Sequence, residues 1–218
     1  MHDADGADPR TTAQPDRLAS LADLEAHYGA PVPRSITKEL PRISPQYAAY
    51  IARAPFAILS TVGPDGVDCS PRGDPAGFAR VADPATLLIP DRPGNNRLDS
   101  LRNIVRDPRV AWLFLVPGVN VTMRVIGRAH VSIAADLLAS FEMNGKRPKS
   151  VIVTTVDAAY FQCPKALVRS QLWNPDAYVD RAALPSTGEM LAASSQDAAF
   201  DAAAYDAGYA AHMARTIY

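Results

Sequence analysis

The sequence is poor in the residues that usually announce a chemistry. Cys69 and Cys163 are the only cysteines among 218 residues. Two thiols build no disulfide framework, so a reduced, cytoplasmic protein is the simple expectation. His2, His27, His130 and His212 are the only histidines, and none stands at metal-ligand spacing from a cysteine or another histidine. A zinc centre is therefore not expected. No apolar run approaches the roughly 20 residues that a membrane-spanning helix needs. Residues 1–17 are polar and acidic and lack the apolar stretch of a secretory signal. Walker loops, G-x-G-x-x-G turns and G-x-S-x-G elbows are absent as well. An excess of basic charge is also missing. Lys and Arg number 22 against 23 Asp and Glu, a net charge of −1, which argues against general nucleic-acid binding.

What is present is a core and an uneven distribution of charge. Hydrophobic residues make up 48% of the chain, although 38 of them are alanines of small volume. Enough larger apolar side chains remain for a globular domain. Of the 22 basic residues 18 are arginines, whose planar fork of donors suits phosphate and carboxylate. Residues 72–128 carry nine arginines against five aspartates, net +4, whereas the first 25 residues and the last 45 are each net −4. An Arg-biased middle between acidic ends is compatible with an anion site in the folded part. It is equally compatible with a genome whose base composition favours Ala and Arg.

Residues 1–17 read as a disordered tail. Leu18, Leu21 and Leu24 predict a short helix that Gly29 ends, and Ser44-Pro45 predicts the start of another reaching about Ala54. The texture then changes to strands over Phe56–Val62, Val67–Arg72, Phe78–Val81, Thr86–Ile89, Val110–Val116, Val121–Val131 and Ser150–Val156, the last extending through Ala159–Cys163. Gly63-Pro64-Asp65-Gly66 is turn chemistry, and Gly127 suggests a bulge. Helices are expected over Arg97–Arg106, Ala134–Met143 and Pro164–Leu172. Tyr205, Tyr209, Met213 and Ile217 recur every four residues, so residues 196–218 contain an amphipathic terminal helix. Six or seven strands with tight turns and no regular alternation of strand and helix imply a small antiparallel barrel with flanking helices.

Three segments could carry chemistry. In the first, Pro90 to Asn103, a strand runs through a Gly/Pro/Asn turn into a helix. Asn96 is a natural N-cap, with Asp99 three residues on completing a capping box. Free N–H groups there, with Arg92 and Arg97, would bind phosphate; the same residues also make an ordinary capped helix with solvated arginines. The second, Asp68-Cys69-Ser70-Pro71-Arg72-Gly73-Asp74, can bring side chain and backbone to a ligand, or can be a plain edge strand that accommodates Pro71. The third runs from Cys163 to Trp173. Lys165 and Arg169 share a helical face, and Trp173 can stack on a ring system or sit in the core.

Together these segments resemble the pyridoxamine 5′-phosphate oxidase-like family of FMN-binding split barrels, and within it a bacterial flavin-binding subgroup. The resemblance rests on Ser70-Pro71-Arg72-Gly73-Asp74, on Asp91-Arg92-Pro93-Gly94-Asn95-Asn96-Arg97, and on Lys165-Ala166-Leu167 with Arg169-Ser170 and Leu172-Trp173. It spans residues 25–195. It implies a mainly β fold, a six-stranded antiparallel Greek-key split β-barrel with flanking helices over residues 18–195. It also implies a homodimer with FMN at the subunit interface and a small-molecule substrate. The family's phosphate-contacting strand falls on Asp68–Gly73, so Arg72 is the matched cation, with Ser70 and Gly73 beside it. Its backbone contact to the flavin ring falls near Ile89 and Pro90. Its basic pair after the next turn falls on Asn96 and Arg97, one cation being replaced by Asn, and Arg92 and Asn95 of that turn are further cofactor candidates. A glutamine contact of the family falls on Thr122, while Lys165, Arg169 and Trp173 belong to the subgroup's own motif. The implied activity is hydride transfer between a small organic substrate or NAD(P)H and FMN. A non-catalytic flavin carrier or sensor, or a barrel holding F420 or haem, is the alternative. The Arg- and His-bearing segment with which the true oxidase grips its substrate is absent, which argues against pyridoxamine phosphate as substrate. The terminal helix would pack on the barrel, join subunits or cover the flavin.

Overall fold

The structure, a computed structural model, describes residues 17–195, 197 and 199–217. The tail expected over residues 1–17 therefore lies, apart from Arg17, outside the described residues. The chain divides into two units, residues 1–37 and 38–218. In the first, α1 (Leu21–Tyr28) starts at a capping box between Ser20 and Asp23 and stops at Gly29, whose φ of 73° suits glycine. A short α2 (Pro33–Thr37) follows.

The second unit contains α3 (Pro45–Ile51), β1 (Phe56–Gly63), β2 (Gly66–Gly73), β3 (Arg80–Asp83), β4 (Thr86–Asp91), α4 (Asp99–Arg106), β5 (Arg109–Leu115), β6 (Thr122–Ser132), α5 (Ala135–Ser140), β7 (Ser150–Gln162), α6 (Lys165–Arg169), α7 (Thr187–Ser194) and α8 (Ala202–Thr216). All seven strands join one antiparallel sheet in the order β2-β1-β5-β6-β7-β4-β3, matching the seven segments read as strands and one more than the six that the resemblance implies. Short β3 starts two residues later than expected because Phe78 and Ala79 turn into the core.

The sheet coils on itself. Alternate residues of β1, β5, β6, β7 and β4 feed one buried cluster that includes Leu59, Trp112, Phe114, Val125, Ile152 and Ile89. A flat sheet of that width could not bring those side chains to one centre. Trp112 Nε1 donates to Thr154 Oγ1 at 3.1 Å inside it, so the indole N–H is satisfied in an otherwise apolar core. Closure shows most directly at the sheet's ends. β2 and β4 are separated by four strands in sheet order, yet Arg92 Nε after β4 donates to Asp74 Oδ2 after β2 at 2.7 Å. The edges β2 and β3 stay unpaired with each other, which leaves the barrel split.

Helices pack against the barrel. α4 packs on β1, β2 and β6 and is pinned by polar bonds, Asn103 Nδ2 to Thr61 Oγ1 at 3.0 Å and Ser100 Oγ to Asp68 Oδ2 at 3.1 Å. α3 packs on β3, β6 and β7, capped by Ser44 as its sequence implies. The irregularity foreseen at Gly127 is present, but the extra residue is Asp157 on β7: Ile126 faces Ala158 while Gly127 faces Val156. Gly127 is needed because a Cβ there would lie 2.1 Å from the Thr155 carbonyl oxygen. α7, not anticipated from the sequence, packs on α8, and Asp206 accepts hydrogen bonds from the Gly188 N–H and the Ser186 hydroxyl.

Candidate functional site

Barrel closure creates a cleft where the ends of β2 and β4 meet the loop leading into α4. On β2 the two-residue period puts Asp68, Ser70 and Arg72 on one face, and that face forms one wall. Pro93 to Leu98 form the opposite wall, the first turn of α4 the back, and Lys149 the rim. The cleft encloses about 180 Å³. An adjoining hollow of about 210 Å³ shares Arg72, Asp91, Arg92, Pro93 and Gly94 with it and adds Gly73, Phe78 and Pro90. Either volume alone is below the roughly 300 Å³ at which pockets begin to enclose a whole cofactor-sized ligand.

The polar groups in this cleft are unequally committed. Arg72 is three-quarters buried, and its Nε has no hydrogen-bond partner, alone among buried side-chain polar atoms of the described residues. Its Nη1 makes only long contacts of 3.4 Å, to Ser70 Oγ and the Pro71 carbonyl, and Nη2 lies 3.9 Å from Asp91 Oδ1. An unsatisfied buried guanidinium N–H costs about 1–3 kcal/mol. Arg92 is engaged within the fold: besides Asp74, its Nη1 donates to the Phe141 carbonyl at 2.9 Å. Burial raises the Asp91 carboxyl above its ordinary range, and the charges of Arg72 and Lys149 oppose that rise.

The entry to α4 differs from the expected capping box. Asn96 does not cap the helix. It adopts φ 56°, and the cap is Leu98 at φ 63° with no side-chain hydrogen bond. Asp99, expected to close the box, instead pairs with Arg97, whose side chain is 80% exposed. Two residues in the left-handed region bend the loop around the cleft. A leucine there is strained by about 1–2 kcal/mol, as backbone at binding sites often is. Asn95 Oδ1 steadies the bend by accepting from the Arg97 N–H at 3.1 Å.

Ser70, Arg72, Arg92, Asn95, Asn96 and Arg97 are thus gathered at the cleft, with Gly73 and Pro90 in the adjoining hollow. Ile89 is fully buried in the core beside Pro90 and lines neither hollow. Four further candidates lie elsewhere. Thr122 is buried at the start of β6 opposite Gln162. Lys165 and Arg169 are exposed on α6. Trp173 lines a separate hollow with Asn120, Leu167 and Gln171, its Nε1 donating to the Val119 carbonyl at 3.0 Å. Lys149 was not anticipated. It is remote in sequence, and only the pairing of Asp91 with Ser150 brings it to the cleft.

Among the described residues no group of His, Cys, Asp and Glu could hold a metal ion, and no helix is long and apolar enough to cross a membrane. The sequence model for pyridoxamine 5′-phosphate oxidase matches residues 43–163, which contain β1–β7, the cleft and its adjoining hollow. No curated protein matches. Among solved structures the chain is similar to HupZ of Group A Streptococcus at 16% identity, covering 54% of this chain and 91% of that one, with a TM-score of 0.44. It is similar to General Stress Protein 26 of Bacillus anthracis at 18% identity, covering 52% and 88%, with a TM-score of 0.41. An FMN-binding protein of Syntrophomonas wolfei is 12% identical, with coverage of 53% and 83% and a TM-score of 0.42.

Proposed function

This chain belongs to the pyridoxamine 5′-phosphate oxidase family, and from that premise we propose that it is an FMN-dependent oxidoreductase. The observation that carries the reading is the buried, partnerless Nε of Arg72 beside a cleft shaped for the end of a ligand. A phosphate there would accept from Arg72 and from Ser70, and the Asn95–Arg97 turn would close over it. The flavin ring would lie by the adjoining hollow, against Pro90, with Ile89 behind it in the core, and beside Gly73, which offers no side chain to obstruct it. Arg92 would act at one remove, holding the Asp74 and Pro93 ends of the two walls together.

FMN, when bound, supplies the redox chemistry by accepting a hydride and passing its electrons on. The chain's own contribution is to bind the phosphate, orient the ring and shape the space beside it for NAD(P)H or a small organic substrate. No side-chain acid or base is required for hydride transfer to a flavin. The small volume of each hollow supports a homodimer in which a second subunit completes the site. Thr122, Lys165, Arg169 and Trp173 would then face the cofactor held by the partner subunit. In this reading the flavin-binding domain spans residues 18–195, and residues 196–218 carry the terminal helix.

The test starts from the purified protein. It is expected to be yellow and to release FMN on denaturation, and the apo-protein is expected to take FMN up again. Anaerobic reduction by NAD(P)H followed by reoxidation in air would mark an enzyme. Tight FMN binding without reduction by any donor would mark a carrier or sensor. A colourless protein that takes up F420 or haem and refuses FMN would overturn the assignment.

A further inference from the structure

We infer that Lys149 is the second cation of the phosphate subsite, so that the cleft is matched to a terminal phosphate monoester. This rests on the flavin-binding reading above. Four cations border the cleft: Arg72, Arg92, Arg97 and Lys149. Arg92 is held by Asp74 and the Phe141 carbonyl, and Arg97 is turned outward onto Asp99. Arg72 and Lys149 remain.

Lys149 is well placed for the task. Its backbone N–H donates to the Asp91 carbonyl at 3.2 Å, which fixes its position at the mouth of the strand pair β4–β7. Its ammonium donates to Asn96 Oδ1 at 3.1 Å, a neutral acceptor on the loop that closes the cleft. No carboxylate within ion-pair distance neutralises it among the described residues. Asp91 lies between the two cations: Arg72 Nη2 is 3.9 Å from its carboxylate and the Lys149 backbone is bonded to its carbonyl, so both line the same cleft. An ammonium has three donors, and Asn96 uses one. A phosphate monoester carries between −1.5 and −2 charges near neutral pH, and the second charge gains most where two cations converge. A phosphodiester, or either phosphate of a dinucleotide flavin's pyrophosphate, carries one charge and gains less.

The experiment uses the full-length apo-protein titrated with FMN and, separately, riboflavin, each followed by quenching of flavin fluorescence. Lys149→Met is expected to weaken FMN binding roughly ten- to hundred-fold. Riboflavin affinity should stay within about two-fold, since no phosphate is present to be lost. Lys149→Arg is expected to restore most of the FMN affinity. Lys149 is exposed, so thermal unfolding of each variant should match the parent. Equal loss for both ligands, or no loss for either, overturns the role of Lys149. If Arg72→Met in the same assay still loses FMN selectively, the flavin site stands without Lys149. A parent protein that binds neither ligand overturns the flavin reading and this inference together.

Discussion

Breaking the Asp74–Arg92 pair tests whether the tie between β2 and β4 closes the barrel or serves the ligand. The two side chains are 1% and 15% exposed, so neither charge can turn to water when its partner is removed. Removing one partner of a buried pair costs about 3–5 kcal/mol, and the slight exposure of Arg92 favours the lower figure. For a domain of this size about 3 kcal/mol lowers Tm by roughly 6–12 °C. Asp74→Asn and Arg92→Met should each show that loss by circular dichroism on the apo-protein. The double variant should be less damaged than the two losses added together, because no uncompensated charge remains. FMN affinity of the folded fraction should fall only modestly in both. The reasoning is refuted if Arg92→Met leaves Tm within about 2 °C of the parent and selectively weakens FMN over riboflavin. Arg92 would then be a ligand cation, and the barrel would close without it.

Gly127→Ala places a Cβ 2.1 Å from a backbone oxygen of β7, and a loss of about 3 kcal/mol in urea unfolding is expected. Gly94→Ala, where the new Cβ meets nothing within 4 Å, is the control and should cost under about 0.5 kcal/mol. The Asp206 carboxyl is held below its ordinary value of 3.8 by the Ser186 hydroxyl and then by the Gly188 N–H. Its contribution is therefore complete above pH 3.8 and lost as pH falls through its folded pKa. Hydrogen exchange in α7 and α8 should accelerate selectively in acid, and Asp206→Asn should blunt that change by weakening the contact already at pH 7. Asp91→Asn removes a negative charge beside Arg72 and Lys149, and FMN should bind about two- to ten-fold more tightly. Weaker binding on titration would show that Asp91 instead orients Arg72.

Much of this protein was legible in its sequence because the relevant signals are local. The strands announce themselves by apolar runs and two-residue alternation, the β1–β2 turn by Gly63-Pro64-Asp65-Gly66, and α8 by the four-residue spacing of Tyr205, Tyr209, Met213 and Ile217. Pro71 pointed to an edge strand, and β2 is one. Two of the three motifs, Ser70–Asp74 and Asp91–Arg97, fall within the residues that the family's sequence model matches, and Lys165–Trp173 lies beyond them. Tertiary structure decided which charges are free. Nothing local shows that Arg92 is consumed by Asp74, or that Lys149, just ahead of β7, reaches the cleft. A side chain's partner depends on which strands the barrel makes neighbours, and that is settled by global packing. The same holds for the cap of α4. Asn96 is the better capping residue, but the chain must curve from the end of β4 around the cleft. That curvature places Asn96 in the left-handed region and leaves the helix to begin after Leu98.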